Sequence, residues 1–568
     1  MSTGDTIAVG QDGFYHPSTE DEICELVRRA HEGHLQVRCR GAAHSLGHVI
    51  YTDPGEGESP VPNKVSEQFP PKGANINISL DRYAGVDWVD EAHGIVEVYA
   101  GTHLGRDPED ESGAVTLENG LLYQIFEKGW ALSDLGGITH QTVSGFLSTG
   151  SAGGSLTYDL GENLLAFRVI DGNGTPRWID REEDPDLFHA FGVSMGLLGI
   201  ISKVRLQLIP MYNVWGQEIV TPTDVANGCP IDLFGAGGSS KPSLEQFLLE
   251  TPYTRILWWP QKELDRIAIW QAARGQSLPV FDPHPYEQFA ETVFFSQLQQ
   301  LGGAILFNIL GNRRFRTVWR NLQNDLTRFH VRVRAVWQKK VGRLWAEILF
   351  WILTILFWPD IFVLTWFFTV CRPCARWLYP KVVRILQPFT RKRKSPTFVD
   401  YYWRSLPMDN AADDVSLGTE FTEIFIPVRH TERVMQLLKS HFDDNGYQAT
   451  GYYCVEIYAG YESEFWMSPS YHEHTLRIDI FWYIDNEGNP AAADGYFRQF
   501  WDLLVENDIP FRLHWGKYQP EYDYAAWAKY FRDKFPRWDD FLELRRLRDP
   551  HDVFLTDYWR RHLLGETV

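Results

Sequence analysis

The chain has 568 residues, 44% of them hydrophobic, and a formal net charge of −20 at pH 7. This length is too great for one hydrophobic core and predicts two domains with additional segments. The acidic balance argues against a nucleic-acid partner, which would require a basic face. Its six cysteines lack the regular spacing of a disulfide framework, so we expect a reducing compartment.

The chain opens with a predicted helix followed by a short strand. Thr19 and Glu22 form a capping box ahead of an apolar stripe at helical spacing. Residues 35–39 then alternate like a strand and run into Gly41, Ala42 and Ala43. Because these residues lack side-chain bulk, their peptide N–H groups can face an anion such as a pyrophosphate.

Further along, residues 53–73 are rich in Pro, Gly and Glu and predict a surface loop, and strands are predicted at 76–80 and 94–101. A second small-residue stretch, 138–154, combines glycines with Ser and Thr hydroxyls. Backbone can approach a flat ligand closely there. Residues 167–174 predict a hairpin.

A further strand is predicted at 476–483, where the residues alternate in polarity. Alternation places Arg477 and Asp479 on one face of this strand. Asp479 can serve there as a base or as an acceptor for a substrate hydroxyl. The alternative is a solvated face on which Arg477 only pairs with Asp479.

Four motifs occur along the chain in one order. The first is Arg40-Gly41-Ala42-Ala43-His44-Ser45, and the second combines 141–145 with 148–150. His514-Trp515-Gly516-Lys517 follows near the end, and Asp549-Pro550 with Phe554 and Tyr558 closes the set. In this order they resemble the FAD-binding domain of the vanillyl-alcohol-oxidase (PCMH) type and, within that superfamily, the gulonolactone, arabinonolactone and alditol oxidases.

This resemblance implies an α+β fold with a discontinuous FAD-binding domain and a mixed-sheet cap domain. We place the first part of the FAD-binding domain at residues 1–215 and the cap or substrate domain at 216–510. Residues 511–568 would complete the flavin site. Two departures from the family pattern stand out: Ser151-Ala152-Gly153 replaces Thr-His-Gly, and Glu456-Ile457-Tyr458 replaces Glu-x-Arg.

The resemblance also implies the cofactor and its ligands. The expected cofactor-binding residues are Arg40, Gly41, Ala42, Ala43, His44, Ser45, Thr142, Gly145, Ser148, Thr149, Gly150, Gly199, Ile201 and Lys517. A histidine at the position of His44 bonds the flavin 8α carbon in covalent members, so we expect FAD linked through His44. The alternative is a non-covalent, hydrogen-bonding His44. Lys517 would place a positive charge where reduced flavin becomes anionic.

The predicted reaction is oxidation of a CH–OH group of a sugar-derived lactone or polyol. A hydride would pass to flavin N5 and oxygen would accept the electrons, with Lys517, His514, Glu456 and Asp479 as the catalytic residues. One alternative is a sugar-lipid oxidase resembling the decaprenylphosphoryl-ribose oxidases, although those relatives lack the histidine of position 44. The other is a membrane-anchored flavoprotein without turnover.

Residues 303–398 lie outside the resemblance. Apolar runs at 348–358 and 361–371 flank Pro359-Asp360, and each is too short to span a bilayer alone. Together they predict either one kinked span or a re-entrant hairpin that turns at Pro359-Asp360. Eighteen Lys and Arg against three Asp and Glu give this insertion a net charge of +15. We therefore expect contact with an anionic membrane surface, the alternative being a buried helical hairpin within the cap.

Histidine and cysteine pairs complete the candidate sites. His472 and His474 have no third ligand nearby in sequence, so no metal site is predicted. Cys371 and Cys374 form a C-x-x-C at the end of the apolar run. Redox use, metal binding and acylation near a membrane remain open for this pair, as do the oligomeric state and the organelle.

Overall fold

The computed structural model describes residues 7–65, 67–107, 110, 114–238, 241–275, 281–284, 286, 305–306, 308–312, 314–323, 343–386, 389–390, 397–408, 419–483 and 490–567. The basic run 391–394, part of the predicted insertion, lies outside these residues.

Among the described residues, the first domain contains three sheets, two of two strands each and a larger one of five strands. Its strands are β1 (Val37–Arg40), β2 (Ile76–Ser79), β3 (Val86–Asp90), β4 (Ile95–Tyr99), β5 (Trp130–Ala131), β6 (Leu164–Ile170), β7 (Pro176–Asp180), β8 (Ile200–Gln207) and β9 (Ile209–Pro210). Its helices are α1 (Glu20–Gly33), α2 (Gly47–Ile50), α3 (Leu121–Glu127), α4 (Val143–Ser148) and α5 (Pro185–Phe191). β1 and β2 pair in parallel, β5 pairs with β9, and the larger sheet has the antiparallel order β3-β4-β8-β6-β7.

The predicted first helix and the predicted hairpin are both confirmed. The Thr19 side chain accepts a hydrogen bond from the backbone N–H of Glu22, and the Glu22 carboxylate accepts one from the N–H of Thr19. The apolar face of α1 packs on β1 and β2 in a core that also contains Val553 and Phe554. β6 and β7 pair as a hairpin. Residues from near both ends of the chain therefore share one core.

The cap is formed around an eight-stranded sheet. Its strands are β10 (Asn213–Thr221), β11 (Tyr253–Trp259), β12 (Arg266–Gly275), β13 (Thr397–Tyr401), β14 (Thr419–Pro427), β15 (Val455–Gly460), β16 (Thr475–Tyr483) and β17 (Arg512–Leu513). Their order in the sheet is β13-β10-β12-β11-β15-β16-β14-β17.

The pairings among these described strands are all antiparallel, so the prediction of a mixed sheet is wrong. The physical reason lies in the connections. β16 inserts between β14 and β15, which run in the same direction but do not touch. Each of them therefore meets a neighbour that runs the opposite way.

The remaining helices cover the cap and the C-terminal segment. In the cap they are α6 (Leu244–Glu250), α7 (Arg343–Val370), α8 (Arg372–Leu386), α9 (Tyr402–Ser405), α10 (Thr431–Asn445), α11 (Tyr447–Thr450) and α12 (Pro490–Glu506). The C-terminal segment contributes α13 (Tyr524–Lys534), α14 (Trp538–Arg548) and α15 (Asp557–Trp559). Because β17 joins the edge of the cap sheet, this segment contacts both domains.

The insertion differs from both membrane predictions. α7 continues through Pro359 as one helix, so the predicted hairpin turn at Pro359-Asp360 is wrong; the chain turns instead at Cys371, where α8 begins. A proline can remain inside a helix because it removes only one N–H and adds a local kink. Within the ranges given above, no helix is both long and apolar enough to cross a membrane. Cys371 and Cys374 form a disulfide at the turn.

At Gly154 the backbones of the two domains approach each other closely. The N–H of Thr254 on β11 donates to the Gly154 carbonyl at 2.7 Å, and a Cβ at Gly154 would lie 2.1 Å from the Thr254 carbonyl oxygen. Only glycine lets this loop of the first domain meet the cap strand at this distance.

Gly154→Ala should therefore destabilise the protein by about 1–3 kcal/mol, the usual cost of overpacking. Chemical unfolding of the whole chain measures this change in free energy. Gly495→Ala is the matched control, because a Cβ there meets no atom within 4 Å. Equal stability of the two variants would contradict the close-approach argument.

Candidate active site

A cleft lies where the first domain meets the C-terminal segment. Residues of the first two motifs and of the His-Trp-Gly-Lys motif line it together. The predicted residues on its wall are Arg40, Gly41, Ala42, Ala43, His44, Ser45, Thr142, Gly145, Ser148, Thr149, Gly199, Ile201, His514 and Lys517. Gly150, by contrast, does not line the cleft. It lies against Pro469, since a Cβ added at Gly150 would be 3.0 Å from that residue.

The two small-residue loops touch each other directly. A Cβ at Gly41 would lie 2.2 Å from the Thr142 hydroxyl oxygen, and that oxygen accepts a hydrogen bond from the N–H of Gly145 at 3.3 Å. Ala43 adopts φ +60°, a left-handed conformation that costs an L-residue roughly 1–2 kcal/mol. The cleft floor is therefore made of backbone that side chains would obstruct.

His44 and Lys517 meet at one end of the cleft. The Lys517 ammonium donates to the His44 carbonyl oxygen at 2.8 Å and lies 4.2 Å from the centre of the Phe421 ring. The His44 and His140 rings have centroids 5.8 Å apart. The N–H of Leu46 also donates to the Gly516 carbonyl at 3.0 Å. The C-terminal motif is thus fastened to the histidine loop.

Arg38 is a buried cleft residue that sequence reasoning missed. Its guanidinium donates to the carbonyls of Val49, Met195 and Phe554 at 2.6, 2.7 and 3.2 Å. Its Nε is buried without a hydrogen-bond partner, and burial lowers the pKa of Arg38 to about 10. The available signal was a basic residue inside the short strand that leads into the Gly41 turn.

These features fit a flavin dinucleotide. The side-chain-free floor suits close approach of a flat ring and a pyrophosphate. The buried Arg38 forms no ion pair in the described part of the chain, and an anionic phosphate would supply the missing opposite charge.

His514 stands on the cleft wall as a neutral imidazole. Its Nδ1 accepts from the N–H of Gly516 at 3.0 Å, so its Nε2 carries the proton and faces the Ser151 hydroxyl at 3.3 Å. Burial, together with the charges of Lys517 and Arg477, lowers the pKa of His514 to about 4.

Three carboxylates lie side by side across the cap sheet behind this wall. Glu456 on β15 faces Asp479 on β16, and Asp479 faces Glu423 on β14. All three are buried, and none is among the described residues that line the cleft. We call Glu423, Glu456 and Asp479 the carboxylate row. Glu423 was missed because nothing in its strand pattern distinguished it.

The row is held by two arginines. Arg477 donates through Nε to Glu423 at 2.9 Å, and Arg255 pairs with Glu456. The alternative of a solvated Arg477–Asp479 pair is therefore wrong, since Arg477 is buried and bonds to Glu423. Arg477 also faces Tyr458, which replaces the family arginine, and its guanidinium carbon lies 5.0 Å from the Tyr458 ring centre. A neighbouring strand thus supplies a guanidinium at this place.

The protonation of the row is uneven. Burial acts to raise the pKa of Glu423, but the charges of Arg477 and Lys517 and the hydrogen bond from Arg477 outweigh it, so the pKa lies below its ordinary value. Burial and the adjacent charge of Glu423 hold the pKa of Asp479 well above its ordinary 3.8. Oδ1 of Asp479 is buried without a hydrogen-bond partner. Glu423 is thus favoured in its ionised form and Asp479 in its neutral form.

Residues 316–562 match the family model described as D-arabinono-1,4-lactone oxidase. This part of the chain is similar to the aldonolactone oxidases. The matched range includes most of the insertion at 303–398, which the sequence motifs had left outside the resemblance.

Individual relatives agree with this match. The chain is 28% identical over 215 residues to D-arabinono-1,4-lactone oxidase of Saccharomyces cerevisiae, covering 37% of this chain and 34% of that one. A putative D-arabinono-1,4-lactone oxidase of Neurospora crassa is 26% identical over 261 residues, which cover 46% of this chain and 38% of that one. The chain thus spans little more than a third of these two relatives. L-gulonolactone oxidase of Scyliorhinus torazame is 18% identical over 96% of this chain and 93% of its own length.

The fold itself resembles that of a solved flavoprotein. Cholesterol oxidase from Brevibacterium sterolicum superimposes with a TM-score of 0.60 over 97% of this chain and 94% of that chain, at 14% identity. This likeness supports the mixed α+β architecture.

Substitutions in the carboxylate row should change stability in opposite directions. Because the pKa of Asp479 is raised on folding, the unmodified protein loses stability as pH rises above the ordinary pKa, by up to about 1.4 kcal/mol per pH unit. Measured between about pH 4 and pH 8, Asp479→Asn should be more stable than the unmodified protein, with a gain that grows as the pH rises above the ordinary carboxyl pKa. Glu423→Gln leaves Arg477 buried and uncompensated and should cost about 3–5 kcal/mol.

Urea unfolding across this pH range measures both variants. An Asp479→Asn variant whose gain does not depend on pH would contradict the assigned neutral carboxyl.

Proposed function

We propose that this chain is an FAD-dependent oxidoreductase that oxidises a CH–OH group of a sugar-derived lactone, with oxygen as electron acceptor. The observation that carries the proposal is the cleft on which the two backbone loops, His44, His514 and Lys517 converge. The aldonolactone-oxidase relatives favour this lactone chemistry. They do not favour the alternative of a sugar-lipid oxidase.

Bound FAD would supply the hydride acceptor, at N5. Gly41 and Thr142 would hold its pyrophosphate and ring through backbone contacts, with Arg38 as the compensating cation. We propose that His44 is the covalent ligand, since its ring lies at the cleft wall and a neutral imidazole is nucleophilic near pH 7.

Lys517 provides a fixed positive charge at the same end of the cleft. Its hydrogen bond to the His44 carbonyl fixes the ammonium relative to the residue that would anchor the flavin. Such preorganised charge stabilises an anion that forms only during the reaction. We therefore propose that Lys517 stabilises the anionic, reduced form of the flavin.

The substrate hydroxyl proton would leave towards the carboxylate row. Glu456, held by Arg255, is the proposed base. Asp479 in its neutral form can donate a hydrogen bond to a substrate oxygen. His514, with the proton on Nε2, would orient the hydroxyl through Ser151 rather than accept its proton. Orientation of the C–H bond is the main task of these side chains.

We also propose that the cap contacts a membrane surface without crossing it. Exposed apolar side chains on α7 include Trp351, Phe362, Val363, Leu364, Trp366, Phe367 and Val370. A large apolar patch exposed to water is typical of an interaction site. The many Lys and Arg residues of the insertion suit contact with anionic lipid.

Anaerobic bleaching of the bound flavin tests the enzyme proposal. Aldonolactones should reduce the flavin, whereas alditols and sugar lipids should do so more slowly. Lys517→Met should keep FAD bound and slow reduction by roughly a hundredfold, as expected for loss of one charge-stabilising group. Lys529→Met on the exposed side of α13 is the control. Failure of every lactone to bleach the flavin would contradict the proposal.

Covalent linkage has a separate readout. Acid-denatured protein should retain yellow flavin in the pellet, and His44→Ala should release it to the supernatant. His140→Ala, which alters the neighbouring ring, should leave the flavin in the pellet. Flavin entirely in the supernatant of the unmodified protein would refute the covalent assignment.

A further inference from the structure

Arg266, at the start of β12, is a buried cation for which the catalytic site has no use. Arg266 is only 4% exposed. Its Nε and Nη1 atoms are both buried and have no hydrogen-bond partner. Among the described residues it forms no ion pair. A buried guanidinium in this state is costly unless an anion joins it.

The surroundings of Arg266 add positive charge and an apolar cover. Its guanidinium carbon lies 3.9 Å from the ring centre of Phe389, which is 45% exposed. Arg384 at the end of α8 donates to the Glu263 carbonyl. The charge of Arg384, after burial, is the main cause that lowers the pKa of Arg266. Asp265 opposes this charge, but its carboxylate already accepts from the N–H and hydroxyl of Thr223.

The adjoining face of α8 is apolar and basic. Trp377 and Ile385 are 66% and 76% exposed, and the Lys381 ammonium lies 2.9 Å from the Trp377 ring centre. These residues are spaced at four positions and share one helix face. The opposite face of α8, with Ala375, Tyr379 and Val383, is buried against the cap. Aromatic, aliphatic and basic side chains on one exposed face are typical of the lipid–water interface.

We propose that Arg266 and Arg384 bind the phosphate of an anionic phospholipid while Phe389, Trp377 and Ile385 enter the bilayer surface. Phe389 covers the guanidinium in water. Transfer of its ring into lipid uncovers Nε and Nη1, and a phosphate can then accept two parallel hydrogen bonds from the guanidinium fork. The guanidinium charge of Arg266 therefore becomes accessible only where an anion is available to bind it. This inference rests on the proposed membrane contact and names its ligand.

Co-sedimentation of the full chain with vesicles tests the site. Binding should be strong to phosphatidylcholine vesicles that contain phosphatidylserine and weak to phosphatidylcholine alone. Arg266→Gln should weaken binding more than tenfold. Lys262→Gln is the control for charge alone, since Lys262 is exposed four positions upstream, and it should weaken binding about fivefold, the effect of one surface charge.

A second set of variants separates a binding defect from misfolding. Arg266→Lys retains the charge but loses the fork, so it should bind like the Gln variant. Arg384→Gln should weaken binding several-fold without a change in unfolding midpoint, because Arg384 is exposed. Retention of FAD by each variant confirms that the remainder of the protein is folded.

The outcomes are distinguishable. If the unmodified protein binds no vesicle, the membrane contact and this site both fail. If vesicles bind but Arg266→Gln and Lys262→Gln lose the same affinity, the contact stands and the phosphate site is refuted. If inorganic phosphate alone raises the unfolding midpoint of the unmodified protein, but not of Arg266→Gln, and vesicles do not bind, the ligand is a soluble phosphate and the lipid proposal is overturned.

Discussion

The guanidinium of Arg477 links the two domains of this chain through hydrogen bonds. From β16 it bonds to Glu423 on β14 and to the carbonyls of Ala152 and Gly153 at 2.9 and 2.8 Å. These carbonyls belong to the loop beneath the cleft. A buried charge is stable only when its donors are satisfied, so the cap sheet and the flavin-domain loop must stay together for Arg477 to remain buried.

The electrostatics of the carboxylate row follow from this clamp. Because Arg477 compensates Glu423, Glu423 stays ionised, and burial together with this adjacent charge drives Asp479 towards its neutral form. Two adjacent buried carboxyls cannot both ionise without large repulsion. A structural ion pair thus sets the protonation of residues placed next to the proposed reaction centre.

The C-terminal segment performs a similar joining role through packing. The indole N–H of Trp515 donates to the Met467 carbonyl at 2.7 Å, and its ring packs against Phe535, Trp538 and Trp559. Aromatic clusters of this kind bury large areas with few rotamers to lose. They position His514 and Lys517 on either side of Trp515 at the cleft. The last 60 or so residues are therefore required to complete a site that begins near residue 40.

The sequence by itself determined the local elements and the participants of the cleft. Capping, alternation and small-residue turns act within a few residues, so α1, the β6–β7 hairpin and the loops around Gly41 and Thr142 were predictable. Tertiary structure alone decided that Glu423 pairs with Arg477, that Arg38 is buried in the cleft and that Arg266 forms no ion pair with a described residue. These facts depend on strand order and on contacts between residues distant in the chain, which hydrophobic periodicity does not encode. Tertiary structure likewise decided that the cap sheet is antiparallel and that α7 is unbroken. Both depend on which strands pair and on how the helix packs.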